Sequence, residues 1–75
     1  MTEIEALIEG AALPPVPMRR AIRLAAGVGQ GELATALGVS RWSIIRWETG
    51  KTEPQGHSRR SYAGALAALQ EATDV

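Results

Sequence analysis

The amino-acid sequence predicts an all-α fold: a compact bundle of four core helices preceded by a short N-terminal helix. Two observations lead there. Apolar residues return at i, i+3, i+4 spacing in successive segments, which is the period of one helical face. Glycine, serine or proline stands at the ends of those segments, where helices start and stop. The 75 residues contain no cysteine. One domain is therefore expected, near the lower size at which a core folds without disulfides or metal.

Thr2 can cap a first short helix in which Ile4, Leu7 and Ile8 share a face, and Gly10 ends it. The run Leu13-Pro14-Pro15-Val16-Pro17 is read as a stiff, extended connector, because proline lacks an amide donor and fixes its own φ. From Met18 the helical period returns, with Met18, Ala21, Ile22 and Ala25 as one apolar stripe and Gly27 as the stop. A helix from about Gln30 turns Leu33, Ala34 and Leu37 inward and ends at Gly38. Ser40 caps the next, from Arg41 to about Thr49, which Gly50 closes. After a turn-rich loop over 51–56, a last helix begins near His57 or Ser58 and aligns Tyr62, Ala65, Leu66 and Leu69. The expected organisation is an acidic helix and proline-rich connector over 1–17, a folded domain over 18–71 and a tail over 72–75.

Formal net charge is zero, but it is unevenly spread. Residues 1–16 carry Glu3, Glu5 and Glu9 and no basic residue. All eight basic residues (Arg19, Arg20, Arg23, Arg41, Arg46, Lys51, Arg59 and Arg60) lie between 17 and 60, opposed there by three glutamates. Glu71 and Asp74 make the tail acidic. A basic middle between acidic ends is the electrostatic footprint of a polyanion-binding surface, and an ordinary solvated surface is its plain alternative.

Enzymatic chemistry has no support. No nucleophile–base pair or metal-ligand cluster is visible, and His57 is the only histidine. Gly27-Val28-Gly29-Gln30-Gly31 has the look of a phosphate-cradling loop, but it follows a helix and lacks the lysine. No cofactor is expected. No apolar run is long enough to span a bilayer, and no secretory signal is seen, so a cytoplasmic protein without membrane partners is expected.

The segment from Gln30 to Thr49 reads as two helices crossing steeply through a short turn. Ala34 suits the crossing point, where a larger side chain would hold the backbones apart. Gly38 supplies the left-handed residue of the turn. Leu33, Leu37, Val39, Ile44 and Trp47 fill the shared core. On a wheel of 100° per residue, Ile44 and Trp47 mark the buried side of the second helix of the pair. Trp42, Ile45, Arg46 and Thr49 then face outward, with Arg41 and Ser43 beside them. A small protein displaying tryptophan and isoleucine together on an outer face implies that something covers them.

These residues resemble a known family, the Cro and repressor (XRE-type, lambda-repressor-like) helix-turn-helix proteins of phages and bacteria. The markers are Gln30, Ala34, Gly38-Val39-Ser40, Ile44 and Trp47-Glu48-Thr49-Gly50-Lys51, with the likeness extending over about residues 18–70. The family pairs an arginine of its first helix with a glutamate near the end of the recognition helix, and Arg23 and Glu48 occupy those places. Arg59-Arg60-Ser61-Tyr62-Ala63 resembles the final helix of shorter members. Two departures stand out: Gly31 weakens the start of its helix, and only one helix follows the recognition helix where relatives often have two.

The resemblance implies roles. Gln30 would bind a phosphate at its helix start. Ser40, Arg41, Trp42, Ile45 and Arg46 would face the major groove, arginine suiting guanine and apolar groups the thymine methyl. Thr49, Lys51, Arg59 and Arg60 would lie along the backbone and supply affinity. Each has an ordinary alternative: Gln30 as a helix cap, Trp42 as a contact to a second subunit or to the N-terminal helix, and Arg46, Arg59 and Arg60 as solvated charge. Tyr62, Leu66 and Leu69 are core first and dimer surface second. The expected function is a sequence-specific regulator of transcription bound to a double-stranded operator, as a homodimer to which the helix over 63–69 contributes. Residues 1–16 could dock on a protein partner. An antitoxin or excision-control factor, or an interaction module that has lost DNA binding, are the other readings.

Overall fold

A computed structural model describes residues 12–73 and contains four helices: α1 (Val16–Ala25), α2 (Gln30–Leu37), α3 (Arg41–Thr49) and α4 (Gly56–Thr73). The short helix expected around Ile4, Leu7 and Ile8 lies outside the described residues. No strand occurs among those described. α2 packs on α3, and α1 packs on both α3 and α4.

α1 begins two residues before the expected Met18. Pro15 is its N-cap, with ψ at 146°, and Pro17 sits in its first turn, where a missing amide leaves no donor unsatisfied. The proline run therefore ends inside the helix instead of preceding it. The last helix likewise begins at Gly56, one residue earlier than expected, and runs 18 residues.

The turn between α2 and α3 forms as its residues dictate. Gly38 is left-handed (φ 69°), its amide donates to the Thr35 carbonyl at 3.2 Å, and the Val39 amide reaches back to Ala34 at 3.0 Å. This closes the last turn of α2 and lays Val39 onto the core. Ser40 then starts α3, its Oγ accepting from the Ser43 amide at 3.1 Å. α3 ends in the same way at Gly50 (φ 76°), with the Lys51 amide donating to the Arg46 carbonyl at 3.0 Å.

Ile22, Leu33, Ala34, Ile44, Trp47, Tyr62 and Leu66 form the core. Ile44 and Leu66 are almost wholly enclosed, each worth roughly 1.5–3 kcal/mol of transfer free energy. Trp47 and Tyr62 stack at a tilt with centroids 4.9 Å apart, adding about 0.5–1.5 kcal/mol. Leu37, Val39, Ala65 and Leu69 are partly buried against this cluster, and Ala63, in the segment of α4 that the sequence assigns to a dimer contact, is buried.

The stripe of α1 differs from the sequence reading. Ile22 is buried, but Met18, Ala21 and Ala25 are exposed. The inward positions are Arg19, Ile22 and Arg23. Burying an arginine requires a partner, and both have one. Arg19 donates through Nε to the Pro14 carbonyl (2.9 Å), through Nη1 to the Trp47 carbonyl (3.1 Å), and through Nη1 and Nη2 to the two oxygens of Glu53 (2.9 and 3.2 Å). One side chain thus ties the entry to α1, the last turn of α3 and the loop before α4. These bonds rotate α1 about its axis and carry three apolar residues of the stripe out to the surface.

Candidate nucleic-acid interface

Arg23, on the turn of α1 after Arg19, grips Glu48 on α3 through Nε (2.5 Å) and Nη2 (3.0 Å), and its Nη1 satisfies the Val28 carbonyl at 2.9 Å. Both members of the pair are buried. Burial by itself pushes the Glu48 carboxyl up, but hydrogen bonds from Arg23 and Gln30 together with the charge of Arg23 outweigh it and hold the group below its ordinary value. The hydrogen bonds that Arg23 donates to Glu48 in turn raise the pKa of the guanidinium. The pair expected from the resemblance is therefore formed, and it fixes α3 against α1.

The same carboxylate reaches the outer surface through Gln30. The Gln30 amide nitrogen donates to Glu48 Oε1 at 3.1 Å, which turns the amide oxygen outward, where Arg41 Nη2 donates to it at 3.4 Å. Four side chains from three helices form one chain, Arg23 to Glu48 to Gln30 to Arg41. It ties the first residue of α2 to side chains from both ends of α3. At the N-terminal end of α3, Arg41 and Trp42 are exposed, Trp42 by 57 %. Ser40 is also exposed, its hydroxyl 3.0 Å from that of the half-buried Ser43.

The rest of the outward face is more recessed. Ile45 and Arg46 are half-buried, and Arg46 Nε makes no hydrogen bond among the described residues. Thr49 is exposed, but its hydroxyl donates back to the Ile45 and Arg46 carbonyls at 3.0 and 3.2 Å. Lys51 is exposed just past the end of α3. Arg60 is exposed on α4, whereas Arg59 is half-buried and lies 3.5 Å from Glu53. Glu53 is held below the ordinary carboxylate range chiefly by its hydrogen bond from Arg19.

Two cations gain a place that the sequence reading did not give them. Arg20 is exposed on α1, and its charge adds a small share to the lowering of the Glu48 carboxyl. Arg19 is the hub joining Glu53 to α1. Its signal was its spacing, four residues before Arg23, which puts both guanidinium groups on one face. Among the described residues no cluster of histidine and acidic side chains could hold a metal, and no helix is long and apolar enough to cross a membrane.

The face therefore offers an exposed indole, an aligned guanidinium and a helix N-terminus, on a helix whose opposite side is locked into the core. A family model described as helix-turn-helix matches residues 20–63, from the second turn of α1 through α2 and α3 into α4. No curated protein and no solved structure matches the chain.

Proposed function

The chain belongs to the XRE-type helix-turn-helix family, the Cro- and lambda-repressor-like proteins that bind double-stranded DNA, and from that premise we propose that it is a sequence-specific regulator of transcription, of the repressor kind, that occupies a short operator with α3 in the major groove. The observation that carries this reading is the exposure of Trp42 beside Arg41 on α3, while Ile44, Trp47 and Glu48 on the other side are buried. An indole left in water at the start of a rigidly held helix needs a surface to cover it. A major groove offers thymine methyl groups to the ring and guanine acceptors to the arginine.

In this reading Ser40, Arg41, Trp42, Ser43, Ile45 and Arg46 face the major groove, and Gln30, Thr49, Lys51, Arg59 and Arg60 lie toward phosphates. Gln30 serves both neighbours, since its amide is already oriented by Glu48. Two copies would place their recognition helices in successive grooves, about 34 Å apart. The outward residues Gly64, Ala67 and Ala68 of α4 are then available for the contact between copies, as Ala63 and Leu66 are used in the core.

The test is selection from random duplex DNA, followed by titration of the winning sequence at several salt concentrations with wild type, Arg46→Ala and Lys51→Ala. The expected winner is a palindrome or repeat. Arg46→Ala should relax one base position, and Lys51→Ala should reduce the salt slope by about 1 without altering preference. A chain that enriches no sequence and binds more weakly than about 10⁻⁴ M at physiological salt has kept the fold and uses this face for protein.

A further inference from the structure

We propose that the N-terminal segment of this chain covers a groove on the outer side of α1, with Ile4, Leu7 and Ile8 seated against it. The groove has a volume of about 300 Å³ and is lined by Ala21, Ile22 and Ala25 of α1 and by Gln70 and Thr73 at the end of α4. Met18 continues the same stripe one turn earlier and is 45 % exposed. Met18, Ala21, Ile22 and Ala25 share the spacing of a helical face built for burial, yet the bundle encloses only Ile22. The two buried arginines take the inward positions, so the stripe is left facing outward with nothing from α2, α3 or α4 across it beyond the tip of α4.

The chain itself supplies a matching face. Ile4, Leu7 and Ile8 stand at i, i+3, i+4, and on a helical wheel Glu3, Glu5 and Glu9 fall to either side of them. No lining residue of the groove carries a charge, which suits an aliphatic occupant and gives the glutamates nothing to compete for. The tether is short and its end is fixed: Leu13 packs on the core, and Arg19 holds the Pro14 carbonyl at 2.9 Å beside the first turn of α1. From Leu13 back to Ile8, five residues can span about 17 Å. α1, at ten residues, is about 15 Å long, so every part of the stripe lies within reach. Running antiparallel to α1 as a helix, the segment would bring Ile8 level with Ala21 and Ile4 level with Ala25, four residues of rise on each side. A face tethered this closely is present at an effective concentration of about millimolar, which favours it over a second copy at ordinary protein concentration.

The experiment uses the full chain. In methyl-labelled protein, nuclear Overhauser contacts are expected between the Ile4, Leu7 and Ile8 methyls and those of Met18, Ala21 and Ala25, unchanged on dilution. Leu7→Glu should lower Tm by about 4–8 °C, whereas Ala6→Glu, on the opposite side of the wheel, should leave it unchanged. Ala25→Glu should reproduce the shift, and combining it with Leu7→Glu should add little, as for two sides of one contact. Absence of the contacts, equal melting of the Leu7 and Ala6 variants, or fully additive shifts would each overturn the proposal. So would contacts seen only between differently labelled molecules in a mixed sample, which would assign the groove to a second copy.

Discussion

Replacing Arg23 by methionine tests whether the buried ion pair holds the interface helix in place. The two side chains are 6 % and 3 % exposed. Removing one partner of such a pair strands the other charge and costs about 3–5 kcal/mol. A domain of this length has a total stability of about 4–11 kcal/mol, so the loss is a large share of the whole. In melting temperature it corresponds to a fall of about 12 °C or more. Arg23→Met combined with Glu48→Met strands no charge and should lie closer to wild type than Arg23→Met alone. The pH dependence follows from the direction of the Glu48 shift. Its folded pKa lies below the ordinary 4.5, so its stabilising contribution is complete above that value and is lost as pH falls through the lowered one. Without Arg23, burial dominates and raises the same carboxyl, which then takes up a proton readily and relieves the penalty. The gap between wild type and Arg23→Met should therefore be widest near neutral pH and narrow on acidification. Urea unfolding of the four proteins of the cycle at several pH values measures both effects. Additive single losses, or a gap equal on both sides of pH 4.5, would refute the reasoning.

Gly50→Ala should destabilise more than Gly38→Ala. Both force a side chain into left-handed backbone, at about 1–2 kcal/mol, but a Cβ at 50 also meets Val16 Cγ2 at 3.3 Å while one at 38 meets nothing; equal urea midpoints would count against this. Ser40→Ala removes the cap of α3 and should cost about 1 kcal/mol, read as a matching drop in the urea midpoint. The Tyr62 hydroxyl is buried, has no hydrogen-bond partner among the described residues, and is pushed up to about 12 by burial. Tyr62→Phe should accordingly be close to neutral or mildly stabilising, and a loss above about 1 kcal/mol in calorimetry or urea would show that the hydroxyl makes a bond after all.

The parts of the fold that were legible in the sequence are those decided within a few residues. Gly38-Val39-Ser40 carries a helix stop, a core contact and a helix start in three consecutive positions, and each forms as read. Ile44 and Trp47 marked the buried side of α3 correctly, and the charged residue that joins them there, Glu48, is paired with Arg23 and so does not turn the helix. α1 was misread for the opposite reason. Its apolar stripe is genuine, but two arginines on the adjacent face find partners 25 and 34 residues away, and those bonds decide which side turns inward. A helical wheel contains no information about Glu48 or Glu53. The link from Glu48 through Gln30 to Arg41 was hidden likewise, since it runs from α3 to α2 and back and depends on how the two cross.

Arg19 and Arg23 hold α3 from the rear at consecutive residues, one at the Trp47 carbonyl and the other at the Glu48 carboxylate. Clamped twice within one turn, α3 cannot slide along its axis or roll without breaking a buried charge contact. Its side chains thus approach the proposed operator as a finished template, with little ordering left to do on binding. Any mismatch of shape must then be absorbed by the duplex. Sequences that bend or narrow easily should bind better, even at base pairs the protein never touches. Stiffness in two buried arginines would in this way be read out as preference at a distance along the DNA.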